Sequence, residues 1–258
     1  MKKFGLLGQN IKNSLSPKLH GNLAQNYNLE LTYDLLECEE EDLARYLTLL
    51  KKEVYQGYNI TKPFKEKIIP LLDELTPRAK KIQAVNTVYY ENKRLIGDNT
   101  DYQGFMGLLF YYKVDVKNKH VYILGNGGAS RAVFQVLLDL QAYPIIVYRK
   151  DSSKNLFTNQ AISYENFKPY LADLIIHATS ERTRSVVKEN ISDKTLIDLN
   201  YYPASTPIMQ KAKKAYNGLI MLYIQALESQ SIWHKQELVF SLEKYNQFKE
   251  YYDESLRK

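Results

Sequence analysis

Between His120 and Lys150 the chain reads HVYILG, GNGGAS, RAVFQVLLDLQ and, after two residues, PIIVYRK. The first and last are short apolar runs of strand character, and the third carries apolar residues at helical spacing. Strand, glycine-rich turn, helix and second strand within about thirty residues make a βαβ unit, which commits this stretch to a parallel sheet. Leu174 to Ala178 and Thr195 to Leu199 are further short apolar runs, read as strands covered on both faces.

The turn itself has chemistry. Gly125, Asn126, Gly127, Gly128 and Ala129 lie where a strand gives way to a helix. Glycines there let the backbone approach a pyrophosphate, whose charge is stabilised by the free N–H groups of the helix start. The bland alternative is a tight connection with no ligand. About twenty residues on, at the end of the next strand, an NAD site places an acid that accepts from the ribose 2′-hydroxyl. This chain has Arg149 and Lys150 instead. Read as binding residues they attract a 2′-phosphate and favour NADP(H) over NAD(H); otherwise they are two solvated cations.

The first hundred residues also alternate. Lys3 to Gly8, Leu31 to Leu36 and Val54 to Ile60 are strand candidates, Glu40 to Lys52 is a helix candidate, and Ser16-Pro17 is a start signal for the helix LHGNLAQNY. Thr87 to Tyr90 and Arg94 to Ile96 flank a hairpin turn at Glu91-Asn92-Lys93, and Leu222 to Trp233 and Glu237 to Tyr252 are the final helices. Polar residues gather at strand ends and loops: Ser14 and Ser16; Asn59 to Lys65; Ala84 to Thr87; Gly97 to Asp101. Hydroxyls, amides, one lysine and one carboxylate suit a small, polyhydroxylated, anionic ligand.

Composition narrows the partners. The chain has 258 residues, of which 45% are hydrophobic and 25% charged, so it can bury one large core or two modest ones without staples. One cysteine, Cys38, beside an acidic cluster, excludes an internal disulfide and a thiolate metal cluster, and the four histidines form no ligand pair, so no metal is expected. A reducing cytoplasm follows as the expected location. The net charge of +6 invites nucleic acid, but only eight of the 35 basic residues are arginine and the lysines are scattered among acids, so no nucleic-acid partner is expected. The apolar run near the N-terminus is too short for a signal segment, and no run approaches the length of a membrane helix.

Taken in order, S-L-S-P, N-I-T-K-P-F-K, A-V-N-T, G-x-N-T-D, G-x-G-G-A-S, D-L-x-Y-x-P-x-x-T-P and N-G-L-x-M-L-x-x-Q resemble the shikimate dehydrogenase family from Gly8 to about Trp233. The resemblance implies a two-domain α/β protein: a mixed-sheet substrate domain, residues 1–101 with 218–258, and an inserted doubly wound, Rossmann-like NADP-binding domain, residues 102–217. It implies NADPH-dependent reduction of 3-dehydroshikimate to shikimate by a monomer or homodimer. Lys65 and Asp101 would be the catalytic pair. Ser14 and Ser16 would bind the substrate carboxylate, Thr61, Asn86 and Gln225 its ring hydroxyls, and Tyr201 would contact it from the cofactor side. Gly125 to Ala129 would hold the pyrophosphate, Arg149, with Lys150 as a supplement, the 2′-phosphate, and Gly218 would approach the nicotinamide. Blander roles remain for several: surface lysine for Lys65, helix cap for Asp101 and Ser16, loop residue for Ser14.

The chain departs from the family pattern in four places. Asn126 stands where alanine is common, and Tyr148-Arg149-Lys150 replaces N-R-T. His177-Ala178-Thr179-Ser180-Glu181-Arg182-Thr183 replaces N-A-T-S/P-x-G-M and loses the glycine. Pro77 stands where an acid is frequent. His177 reads as a strand-end histidine satisfied by backbone, or as one that titrates in the cleft; His20 reads as support for the serine loop. Alternative activities are a quinate or NAD(H) paralogue, or a ligand-binding relative that keeps the pocket.

Overall fold

The computed structural model describes residues 1–149 and 156–255. Internal contacts divide the chain into two compact units, Met1–Thr100 with Tyr223–Lys258, and Asp101–Leu222.

The first unit carries a mixed sheet. Its strands are β1 (Lys2–Gly8), β2 (Leu31–Glu37), β3 (Gly57–Ile60), β4 (Glu74–Leu75), β5 (Thr87–Glu91) and β6 (Arg94–Asp98), in the spatial order β2-β1-β3-β5-β6-β4. β1 is parallel to β2 and β3, whereas β3, β5 and β6 are antiparallel neighbours. The β5–β6 turn has positive φ at both Asn92 and Lys93, the two-residue geometry whose twist matches the flanking strands. Helices α1 (Ser16–Tyr27), α2 (Leu43–Lys51) and α3 (Pro77–Ile82) flank this sheet in sequence. Leu43, Leu47 and Leu50 of α2 pack with Leu7, Tyr58, Ile60, Phe64 and Val88 in one apolar core.

The second unit is a parallel α/β layer. It opens with α4 (Asp101–Tyr111) and continues through β7 (His120–Leu124), α5 (Gly128–Asp139), β8 (Tyr143–Tyr148), β9 (Ala161–Ser163), β10 (Leu174–His177), β11 (Thr195–Asp198) and β12 (Lys214–Asn217). The sheet order is β12-β11-β10-β7-β8-β9, all parallel. Chain order therefore runs outward from β7 one way and from β10 the other, so the carboxyl ends of β7 and β10 form a topological switch point, where open parallel sheets bind ligands. α6 (Leu219–His234) begins in this unit and continues in the first, followed by α7 (Leu242–Ser255). No helix among the described residues is long and apolar enough to cross a membrane.

Several element boundaries differ from those expected. The strand expected from Val54 starts only at Gly57, because the N–H groups of Val54 and Tyr55 are taken by the Leu49 carbonyl as the chain leaves α2 through Glu53 at positive φ. Glu40–Asp42 is a 3₁₀ turn ahead of α2 rather than its first turn. Ser16 does not cap α1; Leu15 holds the cap position and Ser16 is the first helical residue. The last helix begins at Leu242, not Glu237. Leu238 N–H bonds the Ser231 hydroxyl, and Ser241 supplies the start, its hydroxyl accepting from Lys244 N–H at 3.4 Å. α3 went unnoticed in the sequence, though Thr76 caps it through Ala79 N–H and Pro77 opens it.

Trp233 ties α6 to the sheet. Its ring stacks on Phe4 with centroids 4.6 Å apart, and its indole N–H donates to the Val88 carbonyl at 3.3 Å. It lies so close over β3 that a Cβ on Gly57 would stand 2.2 Å from its Nε1. Gly57→Ala is therefore expected to destabilise the first unit by about 1–3 kcal/mol. Because Trp233 is the chain's single tryptophan, its emission reports on this contact directly. A urea midpoint and emission maximum equal to those of the unsubstituted protein would show that the indole moves aside without cost.

Candidate active site

In the first unit the strand ends and the loop after β1 gather polar side chains into hydrogen-bonded sets. The Ser14 hydroxyl donates to that of Ser16 at 3.1 Å and accepts from Ser16 N–H at 3.3 Å. The Tyr33 hydroxyl donates to Asn59 Oδ1 at 2.8 Å. Asn59 Nδ2 donates to the Asn86 carbonyl at 3.1 Å, the Thr87 hydroxyl at 3.2 Å and the Ser229 hydroxyl at 3.0 Å. Asn86, 2% exposed, receives the N–H of Thr100 at 2.7 Å and the hydroxyl of Thr87 at 3.0 Å on Oδ1. Its Nδ2 donates to the Thr100 hydroxyl at 3.0 Å and to Gln225 Oε1 at 3.4 Å. A buried network with its members paired is rigid, because any rotation strands a polar group.

Asn86 and Gln225 are joined in this network, and Ser14 and Ser16 pair with each other. Thr61 follows β3, its N–H on the Leu7 carbonyl at 2.9 Å, and Lys65 is half-buried, its carbonyl accepting from Val85 N–H at 2.7 Å, one residue before Asn86. Sequence reasoning gave no role to Tyr33, Asn59, Thr87, Thr100 or Ser229, which lie beneath the predicted set. Asn59, Thr87 and Thr100 stand within the motif strings, and Ser229 lies four residues from Gln225, on one face of α6. Tyr33 had no signal among 22 tyrosines.

An ion pair braces the loop after β6. Arg78 bonds Asp98 through Nε at 2.6 Å and Nη2 at 2.8 Å, and reaches Glu228 at 3.0 Å. Burial alone would lower the guanidinium pKa, but these carboxylates outweigh it and raise it. His20 is buried, stacked on Tyr33 at 4.1 Å and bonded at Nδ1 by Gln230 Nε2 at 2.7 Å. Cys38 is buried too, its thiol pushed up to about 11 by burial and by Asp42.

In the second unit Gly125 follows β7 at φ +121, a conformation that side chains rarely adopt, and a Cβ there would stand 3.1 Å from both the Ala178 carbonyl and the Thr179 methyl. Gly127 is the N-cap of α5, with open space where a Cβ would be, and Gly128 and Ala129 form the first helical turn. Asn126 is half-buried between them. Arg149 is exposed just past β8, and Lys150 lies outside the described residues. A left-handed bend, an uncovered helix start and an exposed guanidinium one strand over fit a dinucleotide that carries an extra phosphate.

The ends of β10 and β11 carry a second network. His177 and Asp198 are wholly buried and joined Nδ1 to Oδ1 at 3.0 Å, and His177 Nε2 meets the Thr179 hydroxyl at 2.6 Å. This corrects the backbone-satisfied reading of His177: both ring nitrogens are met by side chains. Burial would raise the Asp198 carboxyl, but hydrogen bonds from His177, Thr206 and Asn200 hold it below its ordinary value. Arg182 Nε donates to Asn200 Oδ1 at 3.1 Å. Burial raises the Tyr201 hydroxyl, partly opposed by Arg182. Gly218 passes so near Leu199 that a Cβ would stand 2.2 Å from its carbonyl oxygen. Asp101, buried, is the first residue of α4.

Residues 6–88 match the family model described as the shikimate dehydrogenase substrate binding domain. The shikimate dehydrogenase (NADP(+)) of Clostridium beijerinckii is 34% identical over 253 residues, covering 92% of this chain and 94% of that protein. Shikimate dehydrogenase 1 of Peptoclostridium difficile superposes with a TM-score of 0.83 at 33% identity, over 96% of this chain and 98% of that one. Shikimate 5-dehydrogenase of Thermus thermophilus, solved with NADP(H) and shikimate, gives 0.81 at 27% identity over 96% and 98%.

Burial pushes the His20 imidazole down to about 3, against a smaller opposing effect of its hydrogen bond with Asn59. Below about pH 6.5 the unfolded chain then takes up a proton that the folded one refuses. The stabilisation associated with a neutral His20 is complete above about 6.5 and declines at roughly 1.4 kcal/mol per unit as pH falls toward 3. The His20 ring C–H resonance is accordingly expected to hold its neutral position from pH 7 to pH 4. A titration midpoint near 6 would mean that the ring is solvated.

Proposed function

The chain belongs to the shikimate dehydrogenase family, and from that premise we propose that it is an NADPH-dependent oxidoreductase reducing 3-dehydroshikimate to shikimate, on the route to chorismate and the aromatic amino acids. The observation that carries the reading is the polar set of the first unit: the Ser14–Ser16 hydroxyl pair, and Asn86 bonded to Thr100 and Gln225. It offers hydroxyls and amides to a small anionic ring bearing hydroxyl groups. The expected location is the cytoplasm, as a monomer or homodimer without a nucleic-acid partner, in keeping with one cysteine and scattered lysines.

In this proposal Ser14 and Ser16 donate to the substrate carboxylate, and Thr61, Asn86 and Gln225 hold its ring hydroxyls. Tyr201 contacts substrate from the cofactor side. Gly125, Asn126, Gly127, Gly128 and Ala129 receive the pyrophosphate, Arg149 and Lys150 the 2′-phosphate, and Gly218 leaves room for the nicotinamide. NADPH, when bound, supplies hydride. Negative charge then develops on the ketone oxygen, and the Lys65 ammonium stabilises it and delivers the proton. Asp101 orients Lys65 and accepts from a substrate hydroxyl; as an anion it also favours the charged ammonium.

Purified protein mixed with NADPH and 3-dehydroshikimate is expected to consume nicotinamide absorbance, and a flat trace with folded protein would refute the reading. Lys65→Ala should lower kcat by about 10²–10⁴-fold with little change in KM; a loss confined to KM would make Lys65 a binding residue only. Arg149→Ala should cut the ratio of kcat/KM for NADPH over NADH by about tenfold, the size expected for one charge-assisted contact. An unchanged ratio would remove Arg149 from the phosphate site.

A further inference from the structure

We propose that His177 is a positioning residue for the dinucleotide site: through Thr179 it fixes the backbone that backs the Gly125 bend, with Asp198 as the carboxylate that orients it. This rests on the reading of the second unit as the NADPH-binding unit. His177 ends β10 at the switch point, with Leu124 of β7 as its neighbour on one side and Asp198 of β11 on the other. Its ring is wholly buried and held at both nitrogens.

The network has one consistent direction. The Asp198 carboxylate only accepts, and beyond His177 it takes Asn200 N–H at 3.0 Å and Asn200 Nδ2 at 2.8 Å on Oδ1, and the Thr206 hydroxyl on Oδ2. His177 Nδ1 therefore carries the proton toward Asp198, and in the neutral ring Nε2 accepts from the Thr179 hydroxyl. The same hydroxyl accepts from Glu181 N–H at 3.3 Å, and the Thr179 carbonyl accepts from Asn200 Nδ2 at 3.0 Å. Thr179 is thus held at its hydroxyl and its carbonyl by groups fixed on β10 and β11. Its methyl and the Ala178 carbonyl form the wall against which Gly125 turns. Movement of Thr179 would move that wall, and with it the N–H groups that face a pyrophosphate. A sub-ångström error in such a cradle weakens binding even when every contacting residue is present.

The test is the NADPH dissociation constant, followed by nucleotide fluorescence, for the unsubstituted protein, Thr179→Val, Thr179→Ser, His177→Asn and the double variant His177→Asn/Thr179→Val. Thr179 is partly exposed, so its variants leave the Asp198–His177 pair intact and serve if His177→Asn does not fold. Thr179→Val and His177→Asn are each expected to weaken NADPH about tenfold, the size of one lost buried hydrogen bond. Thr179→Ser, which keeps the hydroxyl and loses the wall methyl, is expected to bind more tightly than Thr179→Val, and the double variant no more weakly than either single one, since both substitutions break one relay. The KM for 3-dehydroshikimate should be unmoved. Unchanged NADPH affinity in Thr179→Val, or binding by Thr179→Ser no tighter than by Thr179→Val, would overturn the proposal. Failure of the unsubstituted protein to bind NADPH would overturn instead the functional reading on which it rests.

Discussion

A side-chain amide that is almost wholly buried must find partners for two donors and one acceptor, and Asn86 finds them on three separate stretches of chain: Thr87 beside it, Thr100 after β6, and Gln225 on α6. Leaving one such group unmet costs about 1–3 kcal/mol, so the amide favours the arrangement in which α6 returns to the N-terminal sheet. Ser229, one turn beyond Gln225, completes the closure by meeting Asn59 and Thr87. Groups expected to touch substrate are thus held by groups that do not, and the closure of the first unit and the rigidity of its polar face come from the same bonds.

In the second unit the governing constraint lies in the backbone. Six parallel strands reverse their order at β7 and β10, which leaves a crevice at their carboxyl ends, and the chain fills the back of it with Gly125 in a left-handed turn against Ala178 and Thr179. A residue with a Cβ would need both an unfavourable φ and a displaced neighbour. The open space over Gly127 lies one residue before the helix start. Close packing behind the bend and openness over the cap are complementary: the first fixes where the N–H groups point, and the second leaves them available.

The βαβ unit, the hairpin and most long elements were legible because each rests on local signals, periodicity and turn chemistry, that the residues themselves carry. What escaped was either short or distant. β4 has two residues and α3 six, too few for a period to show. β12 reads KAYN and has no continuous apolar run. The residues expected at the candidate site stand in local motifs, whereas the groups packed around them depend on pairs such as Asn59 with Ser229 and His20 with Gln230, 170 and 210 positions apart. No window along the chain contains both partners, so burial of His20 and Ser229 becomes sensible only once the fold supplies the mate. His177 fails for the same reason: Asp198 is adjacent in the sheet and 21 positions away in sequence.

The loop after β10 shows how a departure from a family pattern can be absorbed. A glycine in such a loop matters when the backbone must enter the left-handed region or press against a neighbour. Here none of residues 178–185 takes a positive φ, so this path makes no such demand. Other bonds set the path. Thr179 is clamped by His177 and Asn200, and the Glu181 carboxylate accepts from Thr183 through its hydroxyl at 2.7 Å and its N–H at 2.9 Å, and from Arg184 at 3.1 Å. These bonds, from Thr183 above all, hold the Glu181 carboxyl down at about 2, so the staple stays ionised across the physiological range. Arg182, between them, is led to Asn200. The loop after β10 is held here by a buried histidine at its root and a short charged staple at its tip.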